Sequence, residues 1–417
     1  MMTQAFYTGV SGLKSNQTGI DMISDNLANI STVGFRGYST EYKSLFEDYL
    51  NTAVTHADGT GIGVQVSASA MNNEVGVISQ SDRSSDLAIL GEGWFGIKDN
   101  EDTVYTRAGN FTFDRDNDLV TPDGHYVLGT MGGNISSDNT LTEVLDEVVL
   151  GKVDGQTKLS FPKSLTYPPQ ATTKASFSGN IGTKDEAISM GAPVIDSKNN
   201  RNNLRLVFTK SVPQVLPGSQ YDVVATTQTL DGSTIYDTQN GKVSFDGRGA
   251  LISSTLTTID NNSTPVSIDL GSEFDGVVSL ASMPVSSSSS ANGTIGGDLV
   301  GYSVNKNAEV IATFSNGLQS SVGKIAIYHF GNDQGLDRIS GTKFLESSNS
   351  GRPLFYQDEN GKNINGTDVM NFHLEGSNVQ MEVGLTDLII YQRSYDANAK
   401  SVTTADEMMQ KALQMDA

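Results

Sequence analysis

Asp114, Asp116 and Asp118 lie in the run DRDND, at the alternate spacing with which a calcium-binding loop begins. Such a loop turns on a glycine at its sixth position and closes with a bidentate glutamate at its twelfth, where this chain has Leu119 and His125. The stretch therefore reads as a β-hairpin turn. Gly59, Gly61 and Gly63 could cradle a phosphate, but the dinucleotide fingerprint opens a helix, and these glycines run into VQVSASA, an alternating strand. Ser11 and Lys14 have the S-x-x-K spacing of acylated serine enzymes without the companion motifs. The histidines, His56, His125, His329 and His373, are scattered, with no HExxH and no ligand pair at helical spacing. Carboxylates are abundant, but abundance does not identify a pair placed about 5 to 9 Å apart for glycoside hydrolysis. Arg393 and Lys400 could pair with Asp396 or Glu407 across a solvated helix face. No catalytic, cofactor-binding or metal-ligating residue is expected, and no enzymatic activity.

The elements that would have to position such groups are of two kinds. Near the start, Phe6, Leu13, Ile20 and Leu27 recur every seven residues, with Val10, Ile23 and Ile30 between them. This is a heptad-like helical stripe. It stops at Ser31-Thr32-Val33-Gly34, and predicts a helix from about Thr3 to Ile30. At the other end, Met381, Leu385, Leu388, Tyr391, Tyr395, Ala399, Val402, Ala405, Met409 and Ala412 step by three or four. Ser377 and Gln380 fit a capping box, which puts the helix start near Asn378, with Gly384 as a weak point inside it. Between the ends the period is two. Leu204, Leu206 and Phe208 alternate, as do Val243 and Phe245, Val266, Ile268 and Leu270, and Ile325 and Ile327. Closely spaced Gly, Asn, Asp and Ser suit antiparallel hairpins. The run Ser286–Ser290 is expected to be a linker or loop, and a boundary is expected near Pro162, Pro168 and Pro169.

Length and charge limit what this arrangement can be. At 417 residues the chain holds about two or three domains. A formal charge of −21 repels phosphate backbones and anionic lipid, so no nucleic acid partner is expected. Cysteine is absent, which removes disulfides and thiolate sites. No stretch reaches the 18 or more apolar residues of a membrane span, and no membrane insertion is expected. The first residues lack the basic start and apolar block of a secretory signal, so export would use another route. Neither terminal helix is stable alone in water, so each needs a partner: the other terminus, a neighbouring copy, or the β body.

Five segments are specific enough to name a family. SDNLANISTVGFRGYSTEY (24 to 42), LAILGEGWFGI (87 to 97), YTRAGNFTFDRDNDLVTPDGHYVLG (105 to 129), TFSNGLQSSVGKIAIYHFGNDQGL (313 to 336) and SNVQMEVGLTDLIIYQRSYDANAKSVTTADEMMQKAL (377 to 413) closely resemble the bacterial flagellar rod and hook axial proteins. The region from roughly 150 to 300 matches loosely, through PPQATTKASFSGNIG and its strand pattern. Its size resembles the hook-type members, which insert an additional β domain, rather than the shorter distal-rod type. Trp94 stands where the family usually has phenylalanine, and Asn117 where a glycine is common.

The resemblance implies a mainly β fold: two antiparallel β-rich domains in the centre, with N- and C-terminal helices pairing as a coiled coil in an assembled polymer. The division it suggests is 1–30, first helix; 31–74, extended or irregular linker; 75–149, inner β domain, first part; 150–295, outer inserted β domain; 296–376, inner β domain, second part; 377–417, last helix. It implies an extracellular structural subunit that passes the flagellar type III export apparatus without a cleaved signal. Such subunits polymerise into a short curved tube that acts as a universal joint. Partners would be other copies, rod, hook cap and hook–filament junction proteins. Phe6, Val10, Leu13, Ile20, Leu27, Leu385, Leu388, Tyr395, Val402 and Met409 are expected to form the self-assembly seam, and Tyr42 and Phe46 an export-gate recognition element. Another rod or hook-related axial protein, or an acidic β-rich adhesin, remain alternatives at this point.

Overall fold

The computed structural model describes residues 2–45, 63–99, 102–214 and 217–415. Helix α1, Met2–Ala28, and helix α2, Met381–Met415, enclose everything else in the chain. α1 ends two residues earlier than its apolar stripe suggests, because Asn29 and Thr32 close turns on Asp25 and Asn29. α2 starts later than the expected Asn378. The Ser377 hydroxyl does accept the Val379 N–H at 3.3 Å, but the Asn378 side chain is engaged by the neighbouring ribbon instead.

After α1 the chain makes an antiparallel ribbon, Tyr38–Leu45 against Gly63–Met71. Where an extended or irregular linker was expected, these strands lie along α1. Ser15 donates to the Val64 carbonyl at 3.1 Å, the Ser11 hydroxyl accepts the Val64 N–H at 3.2 Å, and Asn26 bridges both backbone groups of Tyr38. Small hydroxyl and amide side chains on the helix thus supply partners to backbone groups on both strands of the ribbon.

Two hydrophobic cores follow. The first gathers Leu87, Phe95, Phe111, Phe161, Val310, Phe314 and Ile325, so residues on both sides of the chain's midpoint build it. Its large sheet runs from Thr166–Tyr167 through Gly297–Val304, Glu309–Phe314, Gln319–Ile325, Tyr126–Met131, Trp94–Asp99 and Asp102–Thr106 to the hairpin of Lys343–Leu345 with Asp337–Ser340. The second core, with Phe177, Leu206, Phe208, Val223, Phe245 and Val266, lies entirely between residues 175 and 277. A five-stranded antiparallel meander, Ile188–Ile195 to Leu251–Ser254, faces a six-stranded sheet of shorter strands built around Lys174–Asn180. Leu204, Leu206 and Phe208 are all at most 1% exposed, as their alternation requires.

Three details depart from expectation. Residues 150–167 pack in the first core, through Leu159, Phe161, Leu165 and Tyr167, so the chain enters the second body only after Pro169, later than residue 150. Ser288–Ala291 is a strand antiparallel to Ala175–Ser178, because the serine run lies beside a strand whose backbone groups it satisfies. Lys174–Ser176 and Gly179–Asn180 also make short parallel pairings, with Ser267–Asp269 and Val277–Val278. The meander inserted between them carries the chain back in the same direction.

One turn recurs through both bodies. At Asp114, Asp196, Asp246, Asn305 and Asp358 a side-chain oxygen accepts the N–H groups two and four residues on. The intervening residue, Asn117, Asn199, Gly249, Ala308 or Gly361, has a φ between 61° and 86°. This is a three-residue hairpin loop with a left-handed residue, which favours Gly and Asn. DRDND is thus a hairpin turn: Asp114 is occupied by backbone donors, and Asp118 takes Lys158 Nζ at 2.6 Å. Among the described residues no group of His, Asp and Glu could hold a metal ion.

His329 is buried in the first body, 2.6 Å from the Asn365 carbonyl and with its ring tilted against that of Tyr356, 4.4 Å away. Burial pushes its imidazole below the ordinary value. The unfolded chain then binds a proton below about pH 6.5 that the folded one refuses, so stability present above that pH is lost as pH falls. Thermal unfolding of the first body should drop between pH 7.5 and 5.5, and His329→Leu should flatten that slope; an unchanged slope would show that other groups set it.

Candidate self-association surface and its mounting

α1 and α2 pack antiparallel along a seam of small residues. Gly9, Gly12, Ser15, Gly19 and Ile23 form the buried face of α1. A Cβ at Gly9 would fall 2.6 Å from Val402 Cγ2, one at Gly12 2.8 Å from the Asn398 side chain, and one at Gly19 2.6 Å from the Tyr42 hydroxyl and 2.8 Å from the Tyr391 ring. At the far end the pattern inverts: Leu27 lies over Gly384 of α2, with 3.1 Å left for a Cβ. On α2 the facing residues Gly384, Tyr391, Asn398 and Ala405 recur every seven positions. Large side chains of one helix fill the spaces left by small ones of the other, which brings the backbones close.

Of the large residues expected in a self-assembly seam, Val402 and Leu27 enter the contact between the two helices, against Gly9 and Gly384, while Phe6, Leu13 and Ile20 on α1, with Leu388 and Met409 on α2, are half-buried. Val10, Leu385 and Tyr395 are exposed. A glycine inside a helix costs about 1 kcal/mol relative to alanine, so three glycines within α1 were a signal that something approaches closely. That signal was available and was outweighed by the more conspicuous heptads. Tyr42 lies on the ribbon, its ring 6.2 Å from that of Tyr391. Its hydroxyl donates to the Ser15 carbonyl at 3.4 Å, and burial pushes that hydroxyl up to about 12. Phe46 lies outside the described residues.

The helix pair leaves much apolar surface uncovered. Tyr7 and Val10 on α1, and Met381, Val383, Leu385, Ile389, Ile390, Met408 and Leu413 on α2, are exposed. Apolar surface clustered in this way marks an interaction site.

The mounting of the pair on the first body is electrostatic. Arg36 stands just beyond α1, Arg107 just beyond strand Asp102–Thr106, and Glu375 ends strand His373–Glu375, shortly before α2. Arg36 meets Glu375 Oε1 at 2.9 Å and Arg107 meets Oε2 at 3.3 Å. Oε1 also accepts the Gly76 N–H at 3.0 Å. The arginines donate further to the carbonyls of Glu74 and Gly91, and Arg107 lies 5.7 Å over the Trp94 ring. None of the three charged side chains is more than 3% exposed. Desolvation pulls both guanidinium groups below their ordinary range, Arg107 to about 10, and the Glu375 carboxylate opposes that shift in each. Around this point the Gly34 N–H bonds the Glu375 carbonyl at 2.8 Å. Asn378 accepts from Gly37 and donates to the carbonyls of Asn72 and Glu74. Arg338, from the hairpin of the first body, meets Asp25 of α1 at 3.0 Å and lies 5.0 Å over Phe35.

Parts of this arrangement occur in known proteins. Residues 6–36 match the family described as flagella basal body rod protein. Residues 88–159 match the flagellar hook protein FlgE/F/G D1 domain, and residues 370–415 the flagellar basal body rod FlgEFG protein C-terminal. The chain is 27% identical to the flagellar hook protein FlgE of Borreliella burgdorferi, over 99% of this chain and 100% of the relative. It is 26% identical to that of Salmonella typhimurium, over 97% and 98%. The crystal structure of Helicobacter pylori flagellar hook protein FlgE2 covers 71% of this chain and 100% of its own, at a TM-score of 0.55 and 18% identity. No described helix is long and apolar enough to cross a membrane.

The seam predicts different outcomes at two glycines. By propensity alone, replacing either should stabilise its helix. Gly9→Val instead sets two branched side chains against each other and should cost about 1–3 kcal/mol. Gly12→Ala meets only an amide that can swing away, and should be near neutral. Helical circular dichroism followed through thermal unfolding separates the two; equal effects would discount the seam.

Proposed function

We propose that the chain is a member of the flagellar rod and hook axial proteins and the structural subunit of a flagellar hook, polymerising into a curved tube that transmits torque as a universal joint. The observation that carries this is the second body between residues 175 and 277. Hook relatives align with this chain over nearly its whole length, the second body included. A shorter rod subunit would account for both ends and the first body but would leave the second body unexplained.

The physical character of each layer supports the reading. The helix pair α1 and α2 exposes apolar residues that neighbouring copies would cover, forming a coiled-coil lining in the polymer. The first body, from 75 to 167 with 296–376, would form the wall of the tube, and the second body its outer layer. The outward face of the meander is mainly polar, with Asn203, Arg205, Asp222, Thr226 and Lys242 half-buried or exposed. Contacts of that kind exchange partners readily, which sliding in a bending tube requires. A chain without cysteine suits export in the unfolded state through the flagellar type III apparatus. Rod, hook cap and junction proteins would then be its neighbours outside the cell. Recognition by the export gate at Tyr42 and Phe46 belongs to the same reading. Tyr42 already has a packing role against Gly19 and Tyr391.

Purified full-length chain, concentrated and imaged by negative stain, should form tubes. Salt should promote them, because screening relieves repulsion between copies that each carry a charge of −21. Leu388→Asp should abolish tubes while circular dichroism still reports intact β bodies. Normal polymerisation by that variant would remove the helix pair from the assembly contact.

A further inference from the structure

Three fully buried charges at one joint call for a reason beyond stability. Desolvating an arginine or a glutamate is costly, and a buried ion pair is often no more stabilising than apolar side chains of the same volume. What the group does supply is direction. A guanidinium fork meets a carboxylate oxygen along a fixed line, and here each oxygen of Glu375 has its own arginine. Arg36 belongs to the short segment between α1 and the ribbon, Arg107 to the first body, and Glu375 to the strand that leads into α2. Rotating either helix about the body therefore breaks at least one of these bonds. The backbone bonds from Gly34 to Glu375 and from Gly37 to Asn378 cross the same point.

We propose that Arg36, Glu375 and Arg107 form a positioning latch, which sets the angle at which the helix pair leaves the first body and closes only when Glu375 arrives. Without that carboxylate two guanidinium groups face one pocket closed to water, and their repulsion opposes bringing residues 34–37 onto the body. Asp333 and Glu92 act on Arg107 only at longer range and form no ion pair with it among the described residues. In a chain delivered N-terminus first, Arg36 and Arg107 precede Glu375, so the joint stays open until the last strand is present. The consequence for stacking of copies rests on the reading as a tube subunit. The latch itself is a property of the single chain.

Glu375→Gln retains the shape and removes the charge. In the full-length soluble protein, amide hydrogen exchange across 34–38 and 376–380 should quicken at least tenfold, while strand Arg201–Lys210 of the second body exchanges at the wild-type rate. Glu375→Asp, which keeps the charge on a shorter arm, should recover part of the protection. The combination Arg36→Met, Arg107→Met and Glu375→Leu fills the pocket without direction. It should match wild-type thermal stability yet give tubes of irregular curvature or helical repeat. Wild-type protection at both segments in Glu375→Gln, or tubes of wild-type repeat from the apolar combination, would overturn the latch. Failure of the wild-type chain to form tubes would count against the hook reading alone, since exchange decides the latch without them.

Discussion

A carboxylate held between two guanidinium groups, shut away from water where both ends of the chain cross the first body, organises the rest of the molecule. α1 and α2 bury small residues against each other, but that contact alone would leave the pair hinged on short connections. The charged joint, seconded by Arg338 on Asp25 and Phe35, makes the pair an extension of the first body. The opposite junction is built differently. The second body is reached by two strands that exchange backbone bonds between Gln170 and Thr294, with one further bond from the Gly296 N–H to Asn199. No salt bridge between described side chains crosses it. One joint resists rotation and the other is lightly tied, so relative motion of the parts is expected at the second.

What could be read in advance follows from the range of the interactions involved. The terminal helices and the strands around Leu204, Val243 and Val266 announce themselves through periodicity, which is a local property. Hairpin turns at Asp114 and Asp246 are likewise decided within five residues. The joint was invisible because a charge at 36, another at 107 and a third at 375 look like any solvated side chains until the fold brings them together. The small-residue contact between the two helices is hard to read for a different reason. Large apolar residues dominate a heptad reading, while Gly9, Gly12 and Gly19 carry no hydrophobic weight and act only by letting another helix approach. The serine run 286–290 misled through composition: its residues are polar, yet their backbone groups were what Lys174–Asn180 needed.

Charge and burial divide the labour between chain and assembly. Within the chain, the pairs of Arg36 and Arg107 with Glu375 are hidden from solvent, and salt has little access to them. The excess of acid that gives −21 is distributed over the surface, where ionic strength does matter. Solution conditions can therefore govern how copies meet without loosening the joint on which each copy depends.

The recurring turn has a kinetic meaning. At Asp114, Asp196, Asp246, Asn305 and Asp358, five consecutive residues satisfy their own backbone groups before any distant strand is needed. Hairpins close in roughly microseconds, whereas pairings between remote segments wait on slow chain searches. A β-rich molecule of this length would ordinarily be a sluggish folder exposed to aggregation. Here much of the register is decided at the tips, so a chain emerging end-first can set each hairpin as it appears and leave few open edges waiting for partners.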